Sequence, residues 1–349
     1  MIRQSNSDSR IWAIWSNMAI EITTLHDTEE WNDLVEQSTQ TTPFHRAECL
    51  EVMATHANAT LHPYVGYKGH EPVGLFPIFE ISKGPISTAF SPPPNLKISY
   101  LGPALLNHTK QKQRRQEKTN SRFISACLAE LKKTVDPKYT HLRTSVQYSD
   151  TRPLIWDGFK PTTRYTYVVD LTPSHDDLMM SFSSDARSNI TGTDETEYEI
   201  SRGGDREIRR TISELKTYHA DQNVSYEITP EFVIDLATQL PDDRFRIYCC
   251  RVDGEFVGGH ITLEQGDTIY GWQSWGDREA DVSVNDLLDW EIMRTARDRG
   301  LTQYDLVGAN NERISKYKAK FSPQLRMYQT IERGTPAMNV VSELYKRVK

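Results

Sequence analysis

Cysteine is scarce: Cys49, Cys127, Cys249 and Cys250 are the four thiols in 349 residues, and none falls in a C-x-x-C pair. Adjacent cysteines rarely bond each other, and nothing here has zinc-site spacing. The reading is reduced thiols in a cytoplasmic protein, with no metal expected. Long apolar runs are missing too. No stretch reaches the ~18 apolar residues that a membrane span needs. The segment Ile11–Ile20 is too short and lacks a cleavage pattern. There is no Ser-His-Asp order, no phosphate loop, no dinucleotide fingerprint and no metal-ligand cluster. Excess positive charge is also lacking. A net charge of -7 argues against a general nucleic-acid binder and against DNA as a partner.

What remains is an ordinary globular composition, 37% hydrophobic and 26% charged, long enough for two compact domains. The stretch from Cys249 to Arg333 is the most patterned. Three strand-like runs, Phe245–Val252, Phe256–Leu263 and Thr268–Trp275, are separated by the turn signals Asp253-Gly254 and Gln265-Gly266-Asp267. A helix over 284–299 follows, with Val284, Leu287, Leu288, Ile292 and Ala296 on one face. Ser283 and Asp286 are spaced as a capping pair, and Gly300 is the stop. A strand at Gln303–Gly308 and another near Leu325–Ile331 complete an α/β unit with a mixed sheet.

The first half repeats this plan. Strands are expected at Ile20–Leu25, His62–Tyr67, Pro72–Ile81, Tyr139–Val146 and Tyr165–Leu171. Helices are expected from Asp27 or Thr28 to Gln37, from Pro43 to Ala57 and over Arg122–Thr134. The Pro-rich segment 90–106 reads as loop and Lys110–Lys118 as a basic stretch. Lys68-Gly-His-Glu-Pro-Val-Gly74 parallels Val252-Asp-Gly-Glu-Phe-Val-Gly258 at an offset of 184. Phe159-Lys160-Pro161 parallels Phe321-Ser322-Pro323 at an offset of 162. A duplication with one enlarged loop explains both offsets. The expected divisions are a tail at 1–17, domains at 18–172 and 221–335, a connection at 173–220 and a helix or tail at 336–349. Within the connection, Leu178–Ile190 and Ile208–Tyr218 read as helices, and the polar run 191–210 as mainly loop with one strand at Tyr198–Ile200.

The order of motifs resembles the Gcn5-related N-acetyltransferase (GNAT) superfamily, and more specifically its FemAB-type branch. The residues that carry this are Asp-Gly-Glu-Phe-Val-Gly-Gly at 253–259, Leu-Leu-Asp-Trp at 287–290, Ala296 to Leu306, and Tyr-Lys-Ala-Lys-Phe-Ser-Pro at 317–323. Ser322 stands where the family usually has Gly. The resemblance implies two tandem GNAT-like domains, each a mixed twisted sheet flanked by helices. It also implies acyl or aminoacyl transfer to an amine by direct attack through a tetrahedral intermediate. A non-catalytic binding module on the same fold is the alternative.

By this resemblance the donor enters a gap between Thr268–Trp275 and Gln303–Gly308. Coenzyme-A enzymes hold pyrophosphate on a Gly-rich loop before the following helix. Here that loop has one Gly and the acids Asp277, Glu279 and Asp281, which speaks against acetyl-CoA. The donor stays open between aminoacyl-tRNA and another acyl-CoA, and the acceptor between a small molecule, a peptide and a sugar amine.

Lys318 matches the family's aromatic-Lys-x-x-Phe lysine and would stabilise an oxyanion; otherwise it is a solvated lysine among Lys316 and Lys320. Asp305, at the end of its strand, would orient an amine or take its proton, or else cap a helix. His260, expected to face away from the apolar side of its strand, is a candidate base or a structural histidine. Arg187 sits where FemAB-type proteins carry an arginine, as an anion clamp or an inter-domain ion pair. Trp272 and Trp275, expected on opposite strand faces, join Tyr304, Tyr317 and Phe321 as candidate substrate-lining residues. The basic cluster Lys110, Lys112, Arg114, Arg115 and Lys118 reads as an RNA contact or a solvated helix approach.

Overall fold

The computed structural model describes residues 19–348, so the tail expected at 1–17 lies outside it. The first half contains β1 (Glu21–Thr24), α1 (Thr28–Glu36), α2 (Ala47–Ala57), β2 (Thr60–Lys68), β3 (Glu71–Lys83), β4 (Ile86–Ser91), β5 (Ala104–Leu105), α3 (Gln113–Thr134), β6 (Tyr139–Arg143), α4 (Arg152–Trp156) and β7 (Lys160–Asp170). Two short helices, α5 (His175–Ser181) and α6 (Ser184–Thr191), lead to the second half. That half contains β8 (Glu199–Arg202), α7 (Asp205–Ala220), α8 (Pro230–Gln239), β9 (Phe245–Val252), β10 (Glu255–Gln265), β11 (Thr268–Gly276), α9 (Val284–Asp298), β12 (Gln303–Asp305), α10 (Glu312–Ala319), β13 (Gln324–Gly334) and α11 (Pro336–Val348).

The strands form one continuous mixed sheet in the order β1-β2-β3-β4-β6-β13-β7-β12-β11-β10-β9-β8, with β5 added against β3. Read inward from either edge the pattern is the same. Four strands follow in sequence, a parallel neighbour comes fifth, and an antiparallel strand comes sixth. The sixth strand in each case comes from the other half. β13 pairs with β6, β7 pairs with β12, and β7 and β13 pair with each other at the centre. The sheet therefore runs uninterrupted across the expected boundary at 172. This is the tandem GNAT-like arrangement, with its last strands exchanged.

Both faces of the sheet are covered, which explains why 73–81 is almost continuously apolar rather than alternating. Leu75 and Phe79 join a core shared by α1, α2, α7 and α8, while Phe76 and Ile78 pack beneath α3. The shared core joins the halves: Trp31, Leu50 and Met53 lie in one cluster with Ile212, Phe232 and Leu236. His56 of α2 meets Asp235 of α8 at 2.7 Å, and Glu36 binds both Arg46 and Arg244. A second cluster lies under α9, α5 and α6.

Several elements differ from expectation. The basic stretch 110–118 is largely the exposed start of α3, because Gln, Arg, Lys and Glu are good helix formers. The helix expected at 178–190 breaks at Phe182-Ser183, where the Phe182 ring is buried against Phe321 and Trp290. The polar run 191–210 supplies β8 and the start of α7. Ser283 makes no side-chain cap on α9, and Asp286 turns inward instead.

The duplicated glycines have the same physical reason in each half. A Cβ on Gly74 would stand 2.7 Å from the Phe123 ring of α3, and one on Gly258 would collide with Val284 at the start of α9. Each glycine lets the long helix of its half lie close to the sheet. Gly74→Ala and Gly258→Ala are each expected to destabilise by about 1–3 kcal/mol through overpacking, measured by urea unfolding. Alanine at Gly204, where a Cβ meets nothing within 4 Å, should be far milder.

Candidate active site

β11 and β12 pair in parallel for three residues, Thr268–Tyr270 against Gln303–Asp305, and then part. β11 runs on to Gly276, whereas β12 stops because Val307 and Gly308 take φ of 49° and 88°. A left-handed β-branched residue is strained. Two groups hold the turn. The Val307 amide donates to Asp305 Oδ1 at 2.8 Å, and Lys318 Nζ donates to the carbonyls of Leu306, Val307 and Gly308 at 2.5, 2.8 and 3.0 Å. The expected strand through 308 is thus three residues long, and the two strands part where the donor gap was expected.

In the first half the corresponding fork is closed. β4 and β6 pair from Thr88 to Ser91, after which the Pro-rich segment turns back. Leu101 bridges to Thr144, and its amide donates to the Arg143 carbonyl at 3.0 Å. Tyr100 from this segment reaches the second fork, where its hydroxyl donates to Asp305 at 3.4 Å.

Asp305 is buried at 3% exposure, and Thr166 Oγ1 of β7 donates to its Oδ1 at 2.7 Å. Tyr100, Tyr270 and Tyr328 form a small cluster on this side. Burial raises the Asp305 pKa to about 6, against the opposing hydrogen bonds of Thr166 and Val307 and the charge of Lys318. Burial lowers the Lys318 pKa to about 8, with Asp289 and Asp305 acting against it. Lys318 is therefore not a solvated lysine, and all three of its donors are engaged at the fork.

His260 lies elsewhere. Neighbouring residues of a strand point to opposite faces, so Asp305 and Tyr304 are on opposite sides of β12. His260 is with Tyr304, buried beneath α9 rather than turned from the core. Asp289 joins the two: Tyr304 and Tyr317 donate to its carboxylate at 2.7 and 2.8 Å, and His260 Nδ1 lies 3.4 Å away. Burial pushes the His260 pKa down; Asp289 opposes this and Lys318 adds to it. Asp289 entered the sequence analysis only within the Leu-Leu-Asp-Trp motif and not as a site residue, although Asp286, Asp289, Met293 and Ala296 follow helical spacing. Two acids on an otherwise inward stripe were the available signal.

The remaining candidates are mainly structural. Arg187 donates to the Met180 and Phe182 carbonyls and closes the turn between α5 and α6. Phe321 is fully buried, edge-on to Phe182 and Tyr317. A bulge leaves Trp272 unpaired between Gly271 and Gln273 and resets the strand alternation. Trp272 and Trp275 consequently pack against the same core instead of opposite faces; the Trp272 indole donates to the Lys97 carbonyl, and Trp275 stacks on Phe256. Arg278 of the loop before α9 and Arg313 of α10 both donate to the Tyr218 hydroxyl.

Lys320, which read as a solvated neighbour, forms a 2.5 Å ion pair with Asp286, whose other oxygen accepts from Asn189. Breaking a buried pair strands its partner's charge. Lys320→Ala is expected to cost about 3–5 kcal/mol in urea unfolding, and Lys316→Ala, exposed and paired with Glu312, within about 0.5 kcal/mol of zero.

Residues 184–319 match the acetyltransferase (GNAT) domain family. No curated protein matches the sequence. Among solved structures, FemX is similar in fold at a TM-score of 0.70 and 12% identity, over 88% of this chain and 96% of FemX. A conserved protein of unknown function from Bacteroides thetaiotaomicron aligns at 0.57 and 11% identity, over 90% of this chain and 100% of that one. L-PGS from Bacillus licheniformis aligns at 0.54 and 12% identity, over 94% and 98%. At such identities the likeness is one of fold, while the family match rests on sequence. The sequence match to the GNAT domain family thus spans residues 184–319, on a chain whose tandem fold is similar to that of FemX.

Proposed function

We propose that the protein is an N-acyltransferase that passes an acyl or aminoacyl group to an amine at the fork between β11 and β12. The observation that carries this reading is the asymmetry of the two forks. The first is filled by its own chain, while the second is lined by a buried carboxylate and a buried ammonium. A binding module that had lost its chemistry has no need to hold two ionisable groups out of water at such cost.

In this reading the amine nitrogen bonds to the acyl carbon and the bond to the donor breaks, its electron pair leaving with the donor. Asp305 takes the proton released by the amine. Lys318 supplies positive charge beside the developing oxyanion and holds the strained 306–308 turn in place. No covalent enzyme intermediate is required. Aminoacyl-tRNA suits the donor side better than acetyl-CoA, because Asp277, Glu279 and Asp281 crowd the loop where pyrophosphate would bind. No helix among the described residues is long and apolar enough to cross a membrane.

Mass spectrometry of co-purifying small molecules identifies substrates with which transfer can be assayed. Calorimetry with acetyl-CoA is expected to show no micromolar binding. Once transfer is measured, kcat/KM should rise through about pH 6 as Asp305 ionises and fall through about pH 8 as Lys318 loses its proton. A flat profile between pH 5 and 9 contradicts the assignment. Lys318→Ala should lower kcat by about a hundredfold with the fold retained by circular dichroism, whereas Lys316→Ala should change it little. Equal behaviour of the two variants removes Lys318 from the mechanism.

A further inference from the structure

A groove of about 350 Å³ crosses the three central strands. Tyr328 and Thr330 of β13 form its floor, Arg143 of β6 and Arg164 of β7 its walls, and Asn310 one end. The ladders fix the layout. Thr330 lies opposite Arg143 on one side, and Tyr328 lies opposite Arg164 on the other. The two guanidinium groups thus stand diagonally across β13. At the far end Glu332 pairs with His141.

These arginines lack the partners that arginines normally have. Arg143 is half-buried, and among the described residues its one hydrogen bond is from Nη1 to the Ile98 carbonyl at 2.9 Å. Arg164 makes no side-chain hydrogen bond, and neither forms an ion pair, among the described residues. Two like charges, one half-buried and one exposed, face each other across β13 with no ion-pair partner among the described residues. That arrangement costs free energy unless an anion completes it. The groove also leads to the fork. Arg164 is two residues from Thr166, whose hydroxyl bonds Asp305, a distance of roughly 7 Å along a strand. The Tyr328 ring is 4.9 Å from that of Tyr100, which bonds the same carboxylate.

We propose that this groove binds the amine acceptor through an oxyanion, a carboxylate or a phosphate, held between Arg143 and Arg164. Guanidinium forks match both groups. The site is built by β6 of one half and the two exchanged strands, so it exists only in the intact chain. Glu332 at the far end disfavours a second anion there, so the acceptor's anion sits between the arginines and its amine points toward the fork. The proposal rests on the acyl-transfer reading for the word acceptor, but its binding test does not.

The test titrates the full chain by calorimetry with inorganic phosphate and, separately, with glycylglycine, which carries a carboxylate and an amine. Saturable one-to-one binding of either probe, weakened at least tenfold by Arg164→Gln, is the expected result. Whichever probe binds tells phosphate from carboxylate. Arg143→Lys, which keeps the charge and loses the fork, should weaken binding less than Arg143→Gln. Arg326→Gln, an exposed change on β13 outside the groove, should leave it unchanged. If neither probe binds, or if Arg164→Gln binds as tightly as the parent, the proposal is overturned. Binding without any acyl transfer leaves the groove intact and removes only the catalytic reading.

Discussion

The ladder between β7 and β13 is the contact on which everything else rests. It joins nine residue pairs, from Gln324 opposite Val168 to Glu332 opposite Lys160. Without it the sheet parts into two six-stranded halves, and β13 and β7 become open edges. The ladder places Arg164 against Tyr328, and β7 on its other side carries Thr166 to Asp305, so the proposed chemistry and the proposed binding share one scaffold. Rigid strands suit both roles, because a site on paired backbone is held more precisely than one on a loop.

Around that scaffold the molecule keeps an unusual amount of charge inside. Asp286 with Lys320, Asp289 with two tyrosines, and Asp305 with Thr166 and Tyr100 are all buried within the second half. Each is satisfied by partners from different elements, so the network fixes where α9, α10 and β12 sit relative to one another. Hydrophobic packing alone tolerates sliding, whereas a carboxylate bonded by two hydroxyl groups does not. The strained turn at Val307 fits the same picture. Lys318 gathers three carbonyls that would otherwise lack partners, and in doing so it keeps the two strands apart.

Much of the fold was legible because hairpins and long amphipathic helices announce themselves locally. Asp253-Gly254 does adopt positive φ at both residues, as its turn requires. The duplication was legible through glycines whose role proved to be helix approach. Other features were hidden by competing signals. β4 runs into the Pro-rich stretch that read as loop from residue 90, so Ile86–Ser91 was not recognised as a strand. α8 carries a Thr229 cap and Pro230 at its first position, both present in the sequence and not recognised. At the site, Lys318 and Asp305 were found through the family pattern and their strand position. Tyr100 and Thr166 were not, since partners brought together across more than 100 residues leave no local trace, and Asp289 stood only inside its motif. The alternation rule misplaced Trp275 because a single bulged residue inverts every side chain beyond it.

The exchange of strands also governs how the chain is made. β6 is synthesised almost 200 residues before β13, the strand that covers it, so the first half leaves the ribosome with one edge unpaired. Such an edge is a template for wrong partners, including the same strand of a neighbouring chain. The correct closure depends on contacts of very long sequence separation, which form slowly. A chain truncated between residues 306 and 323 therefore loses more than its last strand: it bares an edge on β7 and on β6 together, and the damage lands in strands made long before the missing one.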